Sequence, residues 1–263
     1  MTRNPPEDRG NETLTVYEKL DRYKAELDRL RPFEGHLLDE IRKYYRVGLT
    51  WTSNAIEGNT LTESETKILL EDGLTAGGKP LRDTFETIGH ARAYDFMFSL
   101  LHEQKITEAD ILTMHRLFYS DIDPAQAGQY RTEPVIITGS QYPVSAPDRI
   151  GEDMKNLIAW MERERSRLHP VSFAAELHRR FVFIHPFIDG NGRLARLLMN
   201  TALIQCGYLP VVISPVIRYE YISLLEKAHR DAVPFQTFIA EQAAESIRDM
   251  MRLLHVPIPK LNN

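Results

Sequence analysis

Residues 185–196 read His-Pro-Phe-Ile-Asp-Gly-Asn-Gly-Arg-Leu-Ala-Arg, and an apolar run, Leu-Leu-Met-Asn-Thr-Ala-Leu-Ile, follows without a break. A run with almost no polar face reads as a buried helix. The loop before it therefore opens onto a helix N-terminus, where free backbone N–H groups and the positive end of the dipole favour an anion. Gly190 and Gly192 let the backbone take left-handed angles and come close to a ligand. Any fold of this chain must bury the run and still leave its N-terminal loop open.

Helical periodicity dominates the rest. Tyr17, Leu20, Tyr23, Leu27 and Leu30 share one face before Pro32, and Leu38, Ile41, Tyr45 and Leu49 repeat the pattern in a helix expected to end near Trp51. Thr62-Glu-Ser-Glu65 is a capping-box signature for a short helix closed by Gly73, and Thr107 caps another running to about Tyr119. Phe85, Ile88, Tyr94, Phe98 and Leu101 outline a longer helix between them. From Pro124 to Pro147 the character changes: Val135-Ile-Ile-Thr-Gly-Ser-Gln-Tyr-Pro-Val144 has the signals of two short β segments about Gly139, a hairpin. Helices follow from Pro147, over 170–184, near 218–230 and over 234–254, with an extended link over 209–215. The expectation is an all-α fold with one β-hairpin. After a tail over 1–11, N-terminal helices over 12–110 and a core over 111–256 form one continuous domain.

The 263 residues carry a net charge of −5, which argues against a protein that coats nucleic acid or anionic membrane. A phosphate site must then be a local cluster of donors. No apolar run approaches the roughly 20 residues needed to span a bilayer, and the polar start, expected to be a flexible tail, has no apolar signal stretch. Cys206 is the single cysteine, so neither a disulfide framework nor a cysteine-built metal site is available. Cytoplasmic residence is the expectation.

The side chains of 185–196 supply complementary chemistry. His185 precedes Pro186, which favours extended backbone angles and would pin the imidazole at the loop mouth. A neutral imidazole can take a proton from a hydroxyl nucleophile. Asp189 is a hard oxygen ligand suited to Mg²⁺ that also takes phosphate oxygens. Arg193 and Arg196 offer planar forks to phosphate from neighbouring helix faces. Singly, each has a bland reading: a capping histidine, a common Gly-Asn-Gly turn, a solubilising arginine. Together within twelve residues they form the parts list of phosphoryl or nucleotidyl transfer.

This stretch resembles the Fic/Fido family, whose motif HPFx[D/E]GNGRxxR it matches at every fixed position. The resemblance extends over roughly residues 35–250 and implies transfer of AMP from ATP to a Ser, Thr or Tyr hydroxyl of a target protein. By that resemblance His185 is the base, and Asp189 holds Mg²⁺ against the phosphates. Gly190, Asn191 and Gly192 bind phosphate oxygens, Arg193 and Arg196 hold the outer phosphates, and Tyr221 lies near the nucleotide base. Thr138, Gly139, Ser140 and Gln141 form a flap that docks the target by strand-like pairing. His229 stands where similar proteins commonly have Asn. The Gly after Asn191 favours adenylyl transfer over the kinase-like Doc subgroup, which typically has Lys there.

Ser53-Asn-Ala-Ile-Glu57-Gly58 is similar to the family's inhibitory motif, [S/T]xxxE[G/N]. A carboxylate delivered to Arg196 would form a charge-assisted fork and withdraw that arginine from the γ-phosphate. Alternative readings are removal of AMP from a modified target at the same site, and a non-catalytic, ATP-sensing interaction module. A DNA-binding role finds no basic surface. Similar proteins are commonly homodimers.

Overall fold

Side chains set several of the helix starts. Thr15, Thr62 and Thr107 each accept a hydrogen bond from the N–H three residues on, while Glu18, Glu65 and Asp110 answer the cap's own N–H. Each such box satisfies two donors that the helix cannot. They open α1 (Val16–Asp28), α3 (Glu63–Asp72) and α5 (Glu108–Tyr119). Gly73, in the left-handed region, closes α3 as expected. The computed structural model describes residues 14–259; the expected flexible tail over 1–11 lies outside them.

The other helices are α2 (Gly35–Ile56), α4 (Leu81–Ser99), α6 (Ile150–Glu164), α7 (Pro170–Ile184), α8 (Asn191–Gln205), α9 (Arg218–Lys227) and α10 (Val233–Leu253). α2 runs past its expected end at Trp51 because the polar residues there bond within the helix. Thr52 Oγ1 donates to the Gly48 carbonyl and Asn54 Nδ2 to that of Thr50. Buried polar groups are thus paired without breaking the helix.

The run after residue 190 becomes α8, in which every residue but Gly192 and Gln205 is buried. α7 packs along it, α4, α5 and α2 cover other faces, and α10 closes over α7 and α1. An all-helical domain forms around one central helix, as the sequence predicts. Among the described residues no helix is long and apolar enough to cross a membrane.

The expected β-hairpin is absent: no strand occurs among the described residues. A turn does form where it was expected, with Ser140 N–H donating to Ile137 O and Gly139 at φ 89°. The flanking segments have no regular structure and do not pair with each other. Ile136 is 95% exposed and Val135, Ile137 and Val144 are only half-buried, so no fully buried face drives a ladder. The flap is instead a loop held by side chains of α9 and of the turn that follows it.

Candidate active site

α7 and α8 meet at the 185–190 loop, and each end of that junction has a fixed geometry. His185 closes α7 in the left-handed region (φ 53°, ψ 59°), its N–H donating to Phe181 O. This corrects the extended conformation expected before proline: helix closure outweighs the local preference. Burial pushes the His185 imidazole down to about 4, so it is neutral at physiological pH. Its Nδ1 is buried without a hydrogen-bond partner.

α8 starts at Asn191 without a side-chain cap, because Gly190 (φ 79°) precedes it. Its first N–H groups are therefore left for an anion. A Cβ on Gly190 would stand 2.6 Å from the Phe118 ring, so this position needs glycine for space as well as angle. The Asn191 side chain is committed to its own loop. Its Oδ1 accepts from Phe187 N at 2.9 Å and its Nδ2 donates to Phe187 O at 2.8 Å. The side chain staples its own loop, and only the backbone of Asn191 remains to face a ligand.

Arg196 is the buried charge of the site. It donates from Nε to Ser53 Oγ at 2.9 Å, from Nη2 to Ser53 O at 2.9 Å and Glu57 Oε1 at 2.7 Å, and from Nη1 to Tyr221 Oη at 3.3 Å. Glu57 terminates α2, with Gly58 (φ 96°) beyond it. Burial pushes the Glu57 carboxyl up, but the Arg196 guanidinium more than offsets this and holds it below its ordinary value. It stays ionised while about a third of the side chain remains exposed. Tyr221 is buried, and its hydroxyl shares a hydrogen bond with His178 Nε2 at 2.8 Å. It backs Arg196 from the wall of the cavity.

A cavity of about 610 Å³ joins these parts, lined by His185, Gly192, Glu57, Arg196, Tyr221 and the flap residues Thr138, Gly139, Ser140 and Gln141. Asp189 and Arg193 do not line it. They turn to α4: Asp189 Oδ2 takes Arg82 Nη2 at 2.6 Å, and Arg193 Nη1 meets Glu86 Oε1 at 3.1 Å. Arg193 Nη2 also reaches Asp189 Oδ1 at 3.2 Å. Among the described residues no group of three or more His, Cys, Asp or Glu could cage a metal ion. One hard carboxylate does fit a Mg²⁺ that arrives with phosphate oxygens and water as its other ligands.

His115 and Glu226 join the site although neither carries a local sequence signal. His115 stacks on Phe187 with ring centroids 3.7 Å apart and accepts Gly128 N–H at Nδ1, leaving Nε2–H for Asp189 O at 3.2 Å. Glu226 accepts from Ser140 Oγ at 2.9 Å and from Gln141 N at 2.8 Å, latching the flap. His229 lies between Phe183 and Tyr142, 3.6 and 3.9 Å from their centroids, so its side chain is committed to a stack.

Fold and site together define a class: a helical domain whose glycine loop and buried arginine face one cavity with a neutral histidine. Known proteins agree. A model described as Fic/DOC family matches residues 105–203. The chain is 40% identical to the protein adenylyltransferase Fic of Drosophila persimilis over 192 residues, 72% of this chain and 37% of that one. A solved Fic-domain-containing signaling protein from Bacteroides thetaiotaomicron superposes with TM-score 0.82 at 27% identity, over 92% of this chain and 100% of that one. Fic-1 of C. elegans gives 0.80 at 32% identity, over 91% and 73%. The chain belongs to the Fic/DOC family. It spans little more than a third, 37%, of the Drosophila relative it matches.

Proposed function

We propose that the chain is a protein adenylyltransferase that transfers AMP from ATP to a hydroxyl of a target protein and that Glu57 holds it in check. The observation that carries this reading is the Arg196–Glu57 pair at 2.7 Å, in the same cavity as a neutral His185. His185 takes the proton of the target Ser, Thr or Tyr hydroxyl as that oxygen attacks the α-phosphorus, and pyrophosphate leaves. The N–H groups at the start of α8 stabilise the phosphate oxygens as charge builds. Asp189 would hold Mg²⁺, which supplies charge neutralisation to the phosphates; for this the Arg82 contact must yield. The flap presents backbone to the target segment. While Glu57 occupies Arg196, the γ-phosphate lacks its fork and the α-phosphorus is out of line.

Glu57→Gly, incubated with α-labelled ATP and Mg²⁺ in a cell lysate, tests the proposal. A hydrogen bond between charged groups contributes about 1.5–3 kcal/mol, so protein-bound label should rise on the order of 10–100-fold. His185→Ala should abolish the label in either background. Equal labelling with and without Glu57 would overturn the brake, and labelling that survives loss of His185 would overturn the base.

A further inference from the structure

Arg131 lies in the segment after α5 and is 2% exposed, yet its guanidinium has no carboxylate partner among the described residues. A buried charge without a counter-ion is costly unless its donors are taken up by other means. Here three carbonyls from three stretches of chain converge on it. Nε donates to His185 O at 2.8 Å, Nη1 to Glu133 O at 2.9 Å and Nη2 to Ser145 O at 2.5 Å. The Arg131 backbone N–H donates to Pro186 O at 2.9 Å. Glu133 and Ser145 bracket the flap, and His185–Pro186 is the turn between α7 and the glycine loop.

The His185 turn needs such support. A non-glycine residue in the left-handed region is uncommon, and a following proline disfavours helical angles further. Closure of α7 fixes the His185 N–H, but its carbonyl points out of the helix and finds its donor in Arg131. That guanidinium also sets the width of the flap's neck. Only a planar fork can serve three acceptors arrayed this way; an ammonium at the end of a flexible stem cannot.

We propose that Arg131 is a positioning residue for the transfer reaction: one buried fork pins the left-handed His185 backbone and both ends of the flap, registering the base against the docked target hydroxyl. The inference rests on the adenylyl-transfer reading for its kinetic consequence. Its structural consequence stands without that reading. Arg131 belongs neither to the glycine loop nor to the cavity wall, so nucleotide affinity should not depend on it.

The test uses the full chain with Glu57→Gly, alone and combined with Arg131→Met or Arg131→Lys. Amide hydrogen exchange is followed over 133–146 and 185–190, ATP affinity in Mg²⁺ by calorimetry, and label transferred to lysate protein from α-labelled ATP. With Arg131→Met, exchange should rise at least about 10-fold in both segments while the helices stay protected. ATP affinity should hold within about 2-fold and transfer should fall on the order of 100-fold, the cost of a misplacement near 1 Å. Arg131→Lys should recover part of the transfer. Unchanged exchange in either segment overturns the proposal. So does loosening that spreads through all helices with loss of ATP binding in proportion, the pattern of a residue that merely supports the fold. If Glu57→Gly alone transfers no label, the adenylyl-transfer reading falls and exchange alone decides whether Arg131 ties flap to histidine.

Discussion

Tyr221 shows how a single side chain changes meaning once its neighbours are known. By family resemblance it belongs beside the nucleotide base, but its hydroxyl is 3.3 Å from Arg196 Nη1 and 2.8 Å from His178 Nε2. Both partners are buried, and removing the hydroxyl leaves each short of a bond. In the Glu57→Gly background, Tyr221→Phe should therefore weaken ATP binding about 10-fold, through a loosened Arg196. AMP binding should stay nearly unchanged, since AMP lacks the phosphate that Arg196 is proposed to hold. Calorimetry with both nucleotides separates the roles: an equal loss for AMP would return Tyr221 to the base. The twelve-residue motif was legible as chemistry in the sequence, whereas the direction of each side chain was not. Asn191 turns back on Phe187 and Arg193 turns to Glu86, and both outcomes depend on partners that spacing does not reveal.

Among the elements, the flap depends most on distant contacts. Its turn at Gly139 could be read from sequence because turn chemistry is local. Its lack of strands could not, because a ladder requires a partner and a buried face, and Ile136 has neither. What holds the tip is Glu226 at 85 and 86 residues' remove, with Tyr142 stacked on His229 and its hydroxyl accepting from Arg230. Helix starts at Thr62 and Thr107 were legible for the opposite reason: cap and box lie within four residues. Glu226→Ala should free Ser140 Oγ and Gln141 N–H together. The expected result is proteolytic nicking at 138–142 several-fold faster than in the parent, with no change in cleavage elsewhere. Unaltered nicking would mean that the flap is secured without Glu226, by the His229 stack, Arg230 and the Arg131 fork.

For the whole molecule, the buried histidines set how the fold responds to acid. Burial pushes His90 and His178 down to about 3, and His115 and His185 down to about 4. In the unfolded chain each returns to roughly 6.5. Between these values the unfolded state binds more protons, so stability rises with pH. The contribution of all four is fully present above about pH 6.5 and is lost as pH falls toward 4 and then 3. At pH 5 each has given up on the order of 1–2 kcal/mol. Glu57, held low mainly by Arg196 against its own burial, adds a further loss once the pH drops below the ordinary carboxylate range. Charge repulsion works the other way: from a net charge of −5, mild acidification approaches neutrality and should relieve strain on the compact state. Denaturant midpoints measured at pH 7, 6 and 5 should therefore fall steadily, even over pH 7 to 6, where the net charge shrinks toward the pI near 6.0. His90→Asn should flatten that fall by the share of one proton. Its ring makes one hydrogen bond, to Thr50 Oγ1 through Nδ1, and leaves Nε2 buried without a partner. A midpoint that stayed level from pH 7 to 5 would mean these imidazoles reach protons without unfolding.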